Sequence, residues 1–217
     1  MSYRHAIILQ TIAKRGQAPL GLCPLFVPES RDFLGVYPLA ESLRLPGGAS
    51  ELQAEAQLAV FAELEYDAHG QVEAVVPRMA GAFIGASVGE AGMKWSVRKQ
   101  WGAGSCVVAD EMTLLKDWSS LADLRLTCES IAGKAQASVI EAYPWLIENG
   151  QAWLAFAMNN QTDGGAFERI STRLAQADRP AHALIALGVF EPPMGVRAGE
   201  WVKVEAGESR VQAQVAA

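Results

Sequence analysis

The spacing of apolar residues changes several times along the chain, and each change predicts an element. Up to residue 50 the apolar segments are short and are cut by Pro19, Gly21, Pro24, Pro28, Gly35, Pro38, Pro46, Gly47 and Gly48. This reads as irregular chain with short strands at 21–27 and 33–37. Residues 52–66, LQAEAQLAVFAELEY, carry the longest strand-like pattern, although their Ala and Glu content also allows a helix. Asp67-Ala68-His69-Gly70 then predicts a turn, and a strand at 72–76 completes a hairpin. The small apolar run GAFIGASVG at 81–89 suits a tightly packed buried strand. Residues 94–104 are polar around Trp95 and Trp101 and predict a loop. A second hairpin spans 124–130 and 135–140 around Ala132-Gly133-Lys134. Helical spacing follows at 142–158, where Trp145, Trp153, Phe156 and Met158 predict one buried stripe. It recurs at 166–177, where Phe167, Ile170 and Leu174 repeat at i, i+3 and i+7. Strands return at 183–187, 200–205 and 209–215, with a Pro-rich bend at Glu191-Pro192-Pro193. No internal repeat or linker interrupts this order. The pattern predicts one α+β domain richer in strand than helix, with an irregular segment at 1–48 packed on a core at 49–217.

Composition narrows the class. The 217 residues are 50% hydrophobic and 19% charged, ordinary for a globular chain with a sizeable core. A net charge of −6 without a basic run argues against nucleic acid as partner, because phosphate binding needs clustered Lys and Arg. Cys23, Cys106 and Cys128 form no close pair and make no metal-ligand spacing with His5, His69 and His182. This pattern fits a reducing cytoplasm. The N-terminus MSYRHAIILQTIAKRG lacks a signal-peptide core, and no apolar run reaches the about 18 residues of a membrane span.

The chemistry concentrates on the long strand. Glu55 and Gln57 stand at i and i+2, so on a strand they share one face. Two carboxylates there would point to a divalent cation; one carboxylate and an amide leave most of its charge uncompensated. Glu51, Glu63 and Glu65 share the parity, but even Glu51 lies more than about 10 Å along the strand.

QAEAQLAVFAELEYD resembles the E-x-E-L-A-V strand of the fumarylacetoacetate hydrolase (FAH) superfamily, and ALGVFEPPMGVRAGEWVKVEAGE resembles that superfamily's closing segment. PRMAGAFIGASV, QWGAGSCV and MNNQTDGGAFERI are similar, in the same order, to segments of a poorly characterised FAH-like family. The resemblance covers roughly residues 49–207. It implies a mixed β-sandwich roll with peripheral helices, a homodimer, and cleavage or decarboxylation of small dicarbonyl acids. It also implies a Mg²⁺ or Ca²⁺ held by the two Glu of E-x-E and the Asp of an Asn-Asp pair, acting as a Lewis acid. Of these, Glu55 is in place. Gln57 stands for the second Glu, Ile84-Gly85 for the Asn-Asp pair, Cys106 for a Lys, Val189-Phe190 near a Thr, and Glu200 for an Asp. The expectation is therefore a divergent member with degenerate metal and catalytic positions, with a small-molecule-binding or regulatory role, taking a small anionic ligand without a metal. The alternative is an active hydrolase or decarboxylase in which Glu55 and Gln57 hold the cation or Glu55 acts as the catalytic base.

Other candidates carry bland readings beside the functional ones. Cys106, in GAGSCVV, is either a thiolate activated by nearby cations or a small filler. Arg78, Lys94, Arg98 and Lys99 are either receptors for an anionic acid or a solvated basic surface. Asn159, Gln161 and Asp163 are either ligand contacts or helix-end hydrogen bonding. Ser87 joins the ligand-contact candidates. His69 belongs to an exposed turn, and His182 is a cleft candidate. The GAFIGASVG segment and the tryptophans would suit the dimer interface.

Overall fold

The computed structural model describes residues 3–12, 21–31, 33–88, 98–99, 101–131, 133–138, 144–160, 179–188 and 193–217. Its centre is a long hairpin, β4 (Leu52–Tyr66) and β5 (Val72–Ser87). The strand reading of 52–66 holds over the helical one because alternate residues feed two different cores. Ala54, Ala56, Leu58 and Val60 join the larger buried cluster, while Ala59 and Phe61 join a smaller one on the opposite face. At the turn the Asp67 carboxylate accepts the amides of His69 and Gln71 at 2.8 Å each, and Gly70 takes φ +83°. The stretches expected as separate strands at 72–76 and 81–89 are one continuous strand through Ser87. Pro77 sits where the register with β4 shifts, a bulge position that tolerates a missing N–H.

Eight strands make the large sheet. Its order is β2 (Gly21–Phe26), β1 (Ile7–Ile12), β10 (His182–Leu187), β4, β5, β6 (Cys106–Val108). In addition, β11 (Met194–Val196) pairs with β4 and β7 (Thr113–Leu114) with β5. The N-terminal segment is thus woven into the sheet: β1 runs parallel to β10 and antiparallel to β2. The strand at Ile7–Ile12 was not anticipated, and residues 33–37 hold a 3-10 turn, Phe33–Gly35, rather than a strand. A second sheet of five strands runs β3 (Leu43–Arg44), β13 (Ser209–Ala216), β12 (Trp201–Ala206), β8 (Arg125–Ser130), β9 (Gly133–Ser138). It contains both predicted C-terminal strands and the predicted second hairpin.

The second sheet and helix α1 (Pro144–Asn159) pack on β5 over the larger cluster. The buried stripe of α1 is Leu146, Gly150, Leu154 and Met158, a strict i, i+4 row. Phe156, expected in that stripe, is exposed. Trp145 and Trp153 meet edge to face at 5.5 Å between ring centroids. The predicted helix at 166–177 lies outside the described residues. Where β6 and β7 leave a gap along β5, Ser209 fills it: its hydroxyl accepts from the Ala82 amide at 3.0 Å and donates to Glu111 O at 2.6 Å. The described part of GAFIGASVG is buried within this chain's own sheet, from Ala82 at 0% to Ser87 at 0% exposure. It therefore offers no dimer face. Among the described residues no helix is long and apolar enough to cross a membrane.

Candidate functional site around Glu55

The polar end of the smaller core forms the site. Along β4, residues 52–54 pair with β11 and residues 58–63 with β10, so Glu55 and Gln57 fall between those two partners. On the other side β4 faces β5, with Glu55 opposite Gly85 and Gln53 opposite Ser87. Cys106 on β6 stands opposite Gly85. A side chain at Gly85 would place its Cβ 3.2 Å from both amide atoms of Gln57; the missing Cβ is what lets that amide lie flat against the strand.

Glu55 is 4% exposed and lies among donors. Its Oε2 accepts Gln57 Nε2 at 2.9 Å and Gln10 Nε2 at 3.1 Å, and it forms a short ion pair with the Lys99 ammonium. Its Oε1 accepts the Ser87 hydroxyl at 3.3 Å. Lys99 is 2% exposed, so the pair is removed from water almost entirely. Such a pair persists only when further hydrogen bonds complete it, which Gln10, Gln57 and Ser87 do here. Half-buried Arg98 extends the array: its Nη2 is 3.5 Å from Ser87 Oγ and its Nε donates to Val88 O at 3.4 Å.

Several expected participants stand elsewhere or behave otherwise. Cys106 touches the site but is no ready nucleophile, because burial pushes its thiol up to about 12, against smaller opposing effects of Ser105 and Lys99. Cys23 is likewise pushed to about 12 by burial, with Lys99 opposing. Arg78 binds Glu63 on the surface at 2.5 Å, about 26 Å along β4 from Glu55 at a strand's rise; it is not a cleft cation. Asn159 spends both amide atoms on Val72, donating to its carbonyl at 2.7 Å and accepting its amide at 2.8 Å. It ties α1 to β5 and contacts no part of the Glu55 site. Glu51 is engaged by Gln53 Nε2 at 3.0 Å and Arg197 Nε at 3.4 Å. Glu200 Oε2 accepts the Arg197 amide at 2.8 Å. His182 stacks on Phe61 at 5.1 Å. Lys94, Gln161 and Asp163 lie outside the described residues.

The sequence reading missed Gln10 and the role of Lys99. Gln10 shows itself only as a polar residue inside the apolar strand IILQTI. Lys99 reaches Glu55 across 44 positions of sequence. The cation beside the carboxylate is thus Lys99, not a residue at the Cys106 position, and its hydroxyl partner is Ser87 rather than anything at Ile84-Gly85. These residues do not fit a divalent metal. Glu55 Oε2 is already neutralised by an ammonium, its neighbours are amides and a hydroxyl, and a hard cation needs several oxygen ligands. Among the described residues no group of three His, Cys, Asp or Glu comes together to hold a metal ion.

Solved structures place the architecture. Over 97% of this chain it matches 92% of a protein assigned to the fumarylacetoacetate hydrolase family from Yersinia pestis CO92, at 13% identity and a TM-score of 0.61. It matches 70% of maleylpyruvate hydrolase from Sphingobium sp. SYK-6 at 15% identity and a TM-score of 0.59. That hydrolase has also been solved with manganese(II) and pyruvate; this second structure matches at 14% identity, with the same coverage and a TM-score of 0.55. At such identities the likeness establishes the fold. No curated protein matches the sequence. The chain matches DUF5718, a family of unknown function, over residues 8–191; it therefore belongs to that family and carries the fumarylacetoacetate hydrolase fold.

Proposed function

We propose that this chain is a metal-independent relative of the FAH-type hydrolases and isomerases, and that it binds a small carboxylic acid at the Glu55 end of the large sheet. The carrying observation is the ion pair between Lys99 and Glu55. The positive charge that the family resemblance assigns to a dication is supplied by the protein itself, which leaves Glu55 without a free carboxylate oxygen pair to chelate metal. Arg98, half-buried beside Ser87, is the receptor for the ligand's carboxylate, since a guanidinium fork matches that group. The SYK-6 hydrolase, solved with manganese and pyruvate, supports a small keto- or hydroxy-acid as the scale of ligand. With the electrophilic metal gone, the reading is ligand binding rather than carbon–carbon cleavage. We also place the protein in a reducing cytoplasm, on the wide spacing of its three cysteines, and as a homodimer by resemblance; light scattering giving a monomer would remove the latter.

Thermal unfolding and calorimetry test the main reading. Mg²⁺, Ca²⁺ or Mn²⁺ at millimolar concentration should leave Tm unchanged, while small carboxylates should raise it in metal-free buffer and Arg98→Gln should weaken that rise. A metal-dependent rise abolished by Glu55→Ala, or turnover of an acylpyruvate that requires added metal, would establish an active hydrolase instead.

A further inference from the structure

Gln10 and Gln57 are both fully buried at 0% exposure. Both donate to the same carboxylate oxygen, and neither amide oxygen receives a hydrogen bond. Exchanging oxygen and nitrogen in either amide would not repair this, because an acceptor would then face the Glu55 carboxylate. Glu55 therefore fixes both amides, and it fixes them with their oxygens unsatisfied. A buried acceptor left unmade costs about 1–3 kcal/mol, and folded proteins carry few of them. Two on one carboxylate oxygen make a built feature that calls for a donor from outside the chain.

We infer that the ligand of this site is a 2-hydroxy acid rather than a 2-keto acid. The inference rests on the small-acid reading above and names the chemical class within it. The ligand's hydroxyl shares its single proton between the amide oxygens of Gln10 and Gln57 as a three-centre hydrogen bond, and its carboxylate lies against Arg98 on the Ser87 side of Glu55. A keto acid brings only acceptors to that position. A dication would turn such a carbonyl into a good ligand; two amide oxygens repel it. Sites built to accept a hydrogen bond discriminate strongly against analogues that lack the donor.

Calorimetry without added metal decides the point, with glycolate and lactate set against glyoxylate and pyruvate. The hydroxy acids should bind at least about tenfold more tightly, the equivalent of one unmade hydrogen bond. Gln10→Met and Gln57→Met, each checked for folding by circular dichroism, should erase that preference, and the first suffices if the second does not fold. Arg98→Gln should weaken both classes alike. Equal binding, or tighter binding of the keto acids, overturns the inference while leaving a small-acid site in place. A hydroxy-acid preference that survives both Met variants overturns it too, because the hydroxyl then lies elsewhere. Binding of neither class overturns this inference and the small-acid reading together, and leaves the amide oxygens to an ordered water.

Discussion

The decisive residue is Lys99, because its effect can be separated from packing. Removing one partner of a buried ion pair strands the other charge, at a cost of about 3–5 kcal/mol, whereas removing both is often close to neutral. Lys99→Met should therefore destabilise the protein strongly, since Gln10, Gln57 and Ser87 supply hydrogen bonds to Glu55 but no net charge. Glu55→Gln should be comparably harmful, because it leaves the ammonium at 2% exposure facing an amide. The double variant should recover most of the loss. Urea unfolding of the four proteins gives the coupling directly. Additive single-variant losses would mean that Lys99 is only a buried stem and does not stand in for a cation. Little of this was legible in the chain. Glu55 and Gln57 announce a shared face by their i, i+2 spacing, but the partner that interprets them, Lys99, lies 44 residues away. Spacing along a strand carries no record of that approach.

At the scale of elements the sequence was more informative, because alternation and turn chemistry are local. The β4–β5 hairpin, the β12–β13 hairpin and α1 all follow from periodicity and from Gly or Asp at the turns. Strand β1 escaped because its six residues are buried on both faces except at Ile12, so no alternation remained to read. Asn159 shows how one polar pattern serves two readings. As the last residue of α1 it resembled a ligand contact, yet its amide completes the backbone of Val72 at the start of β5. Asn159→Ala should cost about 1–3 kcal/mol, the penalty for leaving partly buried backbone groups unmade. It should also leave small-acid affinity unchanged. A denaturant midpoint equal to wild type, or a drop in affinity at full stability, would return Asn159 to the ligand side.

For the whole molecule, the strongest pH dependence lies on the alkaline side. Cys23, Cys106 and Cys128 each rise from 9.0 to about 12, chiefly through burial, and Tyr3 and Tyr66 rise from 10.0 to about 12 for the same reason. The folded chain holds these protons to higher pH than the unfolded chain does, so in this window it binds more protons. Stability from these groups is complete below pH 9.0 and is lost as pH rises through 9 toward 12. Replacing Cys106 by Ala removes one of these buried thiols. Although the variant starts lower because of the lost packing, its stability should fall less steeply with pH. The check is the urea midpoint of both proteins, followed under reductant from neutral pH into this range. A wild-type midpoint that stays flat to pH 12, or equal slopes in the two proteins, would show that the thiol at 106 meets solvent in the folded state. In that event Cys106 would again be a candidate nucleophile beside Lys99 and Glu55, and alkylation of Cys106 at neutral pH would be the measurement that follows.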